Sequence, residues 1–75
     1  MAELTFGEKA VGLTFNPSGD PVVHDIKTIS ASFIDLMHVL RESTQDPERK
    51  RMCAIAITEA QTAQMWAVKA ATWKT

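Results

Sequence analysis

The chain has one cysteine, two histidines, no glycine beyond position 19 and no excess of charge of either sign. Each shortage excludes something. A single cysteine, Cys53, makes an internal disulfide impossible, and its place in an apolar run reads as a buried thiol suited to a reducing cytosol. His24 and His38 would stand about 21 Å apart on one helix at ~1.5 Å rise per residue, so they cannot share a metal ion. No metal and no cofactor are therefore expected. Eight basic residues face nine acidic ones, for a net charge of −1. A protein that coats DNA or a membrane surface carries a clear basic excess. The one basic cluster, Arg49-Lys50-Arg51, lies close to Asp46 and Glu48 and reads as a solvated helix start. No apolar run approaches the ~18 residues that a bilayer span requires, and the N-terminus shows no basic-then-apolar signal. The expectation is a soluble protein that stays where it is made.

Seventy-five residues make one domain. A chain this short buries little surface on its own, and with neither disulfide nor metal the expected source of further burial is association with other copies.

All three glycines and Pro17 fall within residues 1–20, which read as an N-terminal arm and turn. Leu4-Thr5-Phe6-Gly7 and Leu13-Thr14-Phe15 are expected as short extended pieces or turns rather than a helix. Asn16-Pro17-Ser18-Gly19-Asp20 is a strong turn: Pro17 drives Asn16 out of the helical region and Gly19 permits positive φ. Residues 21–75 read as a helical hairpin domain. Asp20 can cap the first helix and Pro21 opens it, since the missing proline N–H has no partner at that position anyway. Val22, Ile26, Ile29, Phe33, Met37 and Leu40 then follow at spacings of 4, 3, 4, 4 and 3, one helical stripe ending near residue 42. Asp46-Pro47 repeats the start signal, and an alanine-rich stretch free of Gly and Pro runs on to about Trp73. The short break between the helices makes them antiparallel. The fold class is all-α, an antiparallel helical hairpin with a short N-terminal arm, assembled into a homo-oligomer.

The second helix carries apolar character on two sides. Ala56, Ala60, Ala63, Ala67 and Ala70 form a small-residue seam that would let another helix come close. Met52, Ile55, Thr62, Met65, Trp66 and Trp73 form another stripe, with Cys53, Ile57 and Val68 between. One hairpin partner covers one side, so the other implies a second copy.

Enzyme chemistry is not in view. Ser and Thr are scattered, no Gly-rich phosphate loop precedes a helix, and His24-Asp25 point to different helix faces. Glu59 is a lone acid. Two lysines stand out, each with two readings. Lys27 follows the Phe15–Gly19 turn near the start of the first helix. An aromatic ring, free backbone N–H groups and an ammonium there suit a base and a phosphate. The alternative is a Phe packed in the core and a solvated lysine. Lys69, beside Trp66, either snorkels past the tryptophans or faces an anionic ligand.

Phe15-Asn16-Pro17-Ser18-Gly19 with Ile26-Lys27, and then Ala56-Ile57-Thr58-Glu59-Ala60-Gln61-Thr62-Ala63-Gln64-Met65-Trp66-Ala67-Val68-Lys69-Ala70, resemble the hairpin domain shared by phage anti-CBASS and anti-Thoeris sponges. The resemblance covers roughly residues 13–73. It implies a hexamer that holds cyclic dinucleotides between neighbouring protomers, with cyclic trinucleotides at separate three-fold sites in some members, and that sequesters them intact in the host cytoplasm. Carried over by position, Lys27 would meet a phosphate and Phe15, where relatives often have tyrosine, would stack on a base. Asn16, Ser18 and Gly19 belong to the same ligand turn. Lys69 stands where relatives carry arginine, with Thr62 assigned to the same region. The rival expectation is a small helical adaptor whose exposed faces bind a host or phage protein.

Overall fold

A computed structural model describes residues 3–75 and contains, among them, three helices and no strand. They are α1 (Phe6–Val11), α2 (Pro21–Ser43) and α3 (Pro47–Ala71).

The hairpin forms where its start signals lie. The Asp20 carboxylate accepts from the N–H groups of Val22 (2.8 Å) and Val23 (3.4 Å), and Asp46 accepts from Glu48 (3.0 Å). Pro21 and Pro47 each follow as the first helical residue. The break is tightened by Thr44, whose Oγ1 accepts from the Asp46 N–H at 3.2 Å. Lys50 Nζ reaches back to the Arg41 carbonyl (3.0 Å), placing a cation at the C-terminal end of α2.

The arm departs from expectation. Phe6–Val11 is helical rather than extended. Thr5 and Glu8 make a reciprocal capping box: Thr5 Oγ1 accepts from the Glu8 N–H (3.1 Å) and Glu8 Oε1 from the Thr5 N–H (2.8 Å). Leu13 N–H donates to Glu8 O and Gly12 N–H to Lys9 O, closing the far end with Gly12 in the left-handed region. Six residues do not hold a helix by themselves, so α1 stands by docking on α2. Gly7 permits that docking: a Cβ there would lie 2.1 Å from the Ala31 carbonyl oxygen. Its N–H donates to Asp35 Oδ1 at 2.7 Å. At the other edge Phe6 stacks on the His38 ring, centroids 4.1 Å apart, while the Arg41 guanidinium lies over Phe6 and meets His38 Nδ1 at 3.0 Å.

The core sits where the three helices meet. Val11, Ala31, Ile34 and Ile57 are buried, with Ala10, Leu13, Met37 and Ala60 packed around them. Within the hairpin, the buried line of α2 is Val23, Lys27, Ala31 and Ile34, and that of α3 is Cys53, Ile57 and Gln64. The apolar stripe of α2 that the spacing traces mostly lies away from this interior. Val22, Ile29, Phe33 and Leu40 are exposed, and Ile26 and Met37 half-buried. On α3, Ala56, Ala60 and Ala67 are half-buried, but Ala63 and Ala70 are exposed along with Met52, Ile55, Met65, Trp66 and Trp73. The reason is steric. Close approach of α1, α2 and α3 selects small or slender residues for the shared interior, and the bulkiest apolar side chains are left outside. Among the described residues, thirteen large hydrophobics are exposed against six buried hydrophobics, so the outside of this hairpin is greasier than its inside.

Candidate functional site

The turn before α2 is built by its own side chains. Asn16 brackets it, donating from Nδ2 to Asp20 O (2.9 Å) and accepting the Asp20 N–H on Oδ1 (3.3 Å). The Gly19 N–H donates to Asn16 O at 3.0 Å, and Gly19 has φ of 66°, which its missing Cβ makes free of strain. The turn thereby presents Phe15 outward, 72% exposed.

Lys27 reverses the reading of a core phenylalanine and a solvated lysine. The lysine is buried, 6% exposed, and it is the phenylalanine that meets solvent. Its Nζ donates to the Gly12 carbonyl at 2.9 Å and to the Phe15 carbonyl, and lies 5.5 Å from the centre of the Phe15 ring. The ammonium thus ties the C-terminal cap of α1 to the turn before α2. Two of its three N–H bonds are engaged by these carbonyls, leaving one for a further acceptor.

Around this ammonium is a recess of about 110 Å³ lined by Phe15, Asn16, Pro17, Ser18, Val23, Lys27, Val68 and Thr72. Four of the residues expected at a ligand site, Phe15, Asn16, Ser18 and Lys27, stand together here, with Gly19 shaping the turn behind them. Val68 and Thr72 were not anticipated. Their signal was topological: an antiparallel hairpin brings the end of α3 beside the start of α2, and residues 68 and 72 are one turn apart. Thr72 also closes α3, its N–H and hydroxyl both donating to Val68 O (3.0 and 2.8 Å).

The remaining candidates lie elsewhere. Thr62 is half-buried on α3 and gives its hydroxyl to the Thr58 carbonyl (3.2 Å), an intrahelical bond. Lys69 is exposed, its Nζ 5.2 Å from the centre of the Trp66 ring and 5.9 Å from that of Trp73. It forms a cation–π pair on the apolar outer face, where Trp66, Lys69, Ala70 and Trp73 line a shallow cavity of about 340 Å³. This cluster and the Lys27 recess have no lining residue in common. Among the described residues, no three His, Cys, Asp or Glu side chains stand together as a metal-binding group. No helix of these residues is long and apolar enough to cross a membrane.

The arrangement sets a dehydrated ammonium under an exposed aromatic ring, near the N-terminal end of a 23-residue helix. The family model for the Acb2/Tad1 hairpin domain matches residues 8–72. The chain belongs to the Acb2/Tad1 hairpin-domain family. The match takes in most of α1, the turn and both arms of the hairpin, and so every residue that lines the Lys27 recess. Membership in the Acb2/Tad1 family supports a phage anti-defence sponge role, in which cyclic oligonucleotide messengers are bound rather than chemically transformed. No curated protein and no solved structure matches the chain significantly.

Proposed function

We propose that this protein is a phage sponge that sequesters the host's cyclic oligonucleotide second messengers, cyclic dinucleotides and cyclic trinucleotides, without degrading them. By lowering the free messenger it keeps the effectors of CBASS-type immunity inactive in the host cytoplasm. The observation that carries the reading is the buried ammonium of Lys27 beneath the exposed ring of Phe15, within the residues that the family model matches. A phosphodiester accepts the remaining Lys27 N–H and a base stacks on Phe15. Asn16, Ser18 and Gly19 hold the turn in register for both. Lys69, with Thr62 on the same helix, serves a second anionic site.

The protein works as a homo-oligomer, a hexamer, with its ligand sites completed between protomers. Support for this is the outward-facing apolar surface: Ile29, Leu36, Trp66 and Trp73 are all more than half exposed, a large uncovered patch for so small a chain. The domain comprises an arm and turn over residues 1–20 and the hairpin over residues 21–75, the arm acting as the clamp that seats Phe15.

Isothermal titration with a panel of cyclic di- and trinucleotides tests the reading, with ligand recovered intact after heat denaturation of the complex. Absence of binding at tens of micromolar across the panel leaves the adaptor reading in its place, since an adaptor is indifferent to nucleotides. Recovery of linearised ligand would establish an enzyme instead.

A further inference from the structure

The Lys27 recess holds about 110 Å³, below the ~300–1,000 Å³ usual for small-molecule sites, so it seats one part of the proposed ligand and leaves the rest to the seam between protomers. Which part follows from covalent order. In any nucleotide the sugar stands between base and phosphate. With a base on the exposed Phe15 ring and a phosphodiester at the Lys27 ammonium, 5.5 Å from the centre of that ring, the part that enters the recess is a sugar. Val23 and Val68 give it an apolar wall, and Thr72 stands beside them.

The polar groups of the recess divide by what they can do. Lys27 only donates, which suits a phosphate oxygen. Asn16 is spent on the turn, both ends of its amide being engaged by the backbone of Asp20. Thr72 has the opposite character to Lys27. A hydroxyl carries one hydrogen and two lone pairs, and here the hydrogen is committed to the Val68 carbonyl at 2.8 Å. What Thr72 offers a ligand is therefore acceptance alone. A phosphodiester has no hydrogen to give, and the bases differ in theirs, but each ribose keeps a free hydroxyl next to its phosphodiester linkage.

We infer that Thr72 reads the sugar of the ligand: its oxygen accepts from a free ribose hydroxyl, so the site selects ribonucleotide rings over deoxyribonucleotide ones. The residue reaches the recess from the C-terminal cap of α3, across the hairpin from the turn that carries Phe15. The inference rests on the sponge reading and deepens it. A stacking ring tolerates every base, and Thr72 adds selectivity at the one unit that all ribonucleotide messengers share.

The test is calorimetric titration with cyclic di-AMP and with its 2′-deoxy and 2′-fluoro counterparts, on the unchanged protein and on Thr72→Val, Thr72→Ser and Ser18→Ala, with sedimentation and circular dichroism in parallel. The 2′-fluoro ring keeps the ribose pucker but has no hydrogen to donate, so it separates a lost hydrogen bond from an altered sugar shape. The unchanged protein is expected to bind both counterparts about three- to ten-fold more weakly than cyclic di-AMP, the worth of one neutral hydrogen bond. Thr72→Val keeps the shape of the side chain and the backbone cap of α3, and should bind all three rings alike, at the weaker level. Thr72→Ser should restore the preference. Equal binding of the three rings by the unchanged protein, or a preference that survives in Thr72→Val, overturns the inference and leaves the sponge reading standing. A preference that vanishes in Ser18→Ala and persists in Thr72→Val assigns the hydroxyl to Ser18 and likewise overturns it. If the unchanged protein binds none of the three rings, the dinucleotide part of the sponge reading fails and the inference falls with it.

Discussion

The two sides of this hairpin are made of different materials. Inside, α2 and α3 meet through Val23, Lys27, Ala31, Ile34, Cys53, Ile57 and Gln64, a thin interior with a lysine and an amide in it. Outside, the same helices carry Ile29, Phe33, Leu36, Val39, Met52, Ile55, Met65 and Trp66. In a self-sufficient protein the distribution runs the other way. The difference teaches that the interior is arranged for close approach and for holding one cation, while most of the large apolar side chains stand on the surface, where the proposed assembly would cover them.

That contrast can be broken from the inside first. Ile34 is fully buried where the three helices meet, so Ile34→Ala should lower stability by about 2–5 kcal/mol in denaturant unfolding. Gly7→Ala should follow, at about 1–3 kcal/mol, because the new methyl forces α1 off the Ala31 carbonyl and pulls the Gly7 N–H from Asp35. Hydrogen exchange should then show the first turn of α1 unprotected while α2 and α3 stay protected. Lys27→Met keeps the buried stem and removes the ammonium, leaving the Gly12 and Phe15 carbonyls without their donor. The expected loss is about 1–3 kcal/mol, and nucleotide binding should vanish even where the protein stays folded. Last and smallest for the fold itself is the outer face. Ile29→Ser changes a side chain that is 71% exposed, so the helix content of each chain should be unaltered in circular dichroism, within about 0.5 kcal/mol. Sedimentation, by contrast, should shift toward single chains. An Ile29→Ser protein that sediments like the original would show that this part of the outer face takes no part in the proposed assembly.

The hairpin was legible because its punctuation is local. Asp20-Pro21 and Asp46-Pro47 specify helix starts by chemistry within four residues, and both helices begin there. In the arm the turn expected at Leu13-Thr14-Phe15 is present, whereas Phe6 and Gly7, expected in an extended piece or turn, open a helix. Gly7 is a contact point for α2 and Gly12 a cap, and the Thr5–Glu8 capping box was in the sequence to say so. The facing of the helices is not written in the sequence for a different reason. Periodicity finds the most apolar stripe of a helix but carries no information on which neighbour covers it, and here Val22 and Ile29 point away while Val23 and Lys27 point in. Phe15, Asn16, Ser18 and Lys27 could be grouped from the sequence because they lie within thirteen residues of one another and converge by local folding on one recess. Val68 and Thr72 reach the same recess through the return of the chain, which no local pattern records.

The position of Lys27 has a kinetic consequence. An ammonium on the surface keeps a tight shell of water that an arriving anion must strip away, whereas here two carbonyls have displaced most of that shell in the course of folding. At the proposed site a phosphodiester would therefore shed chiefly its own hydration on arrival. Capture should be fast and proceed without a slow rearrangement step, as a scavenger competing with a signal receptor requires.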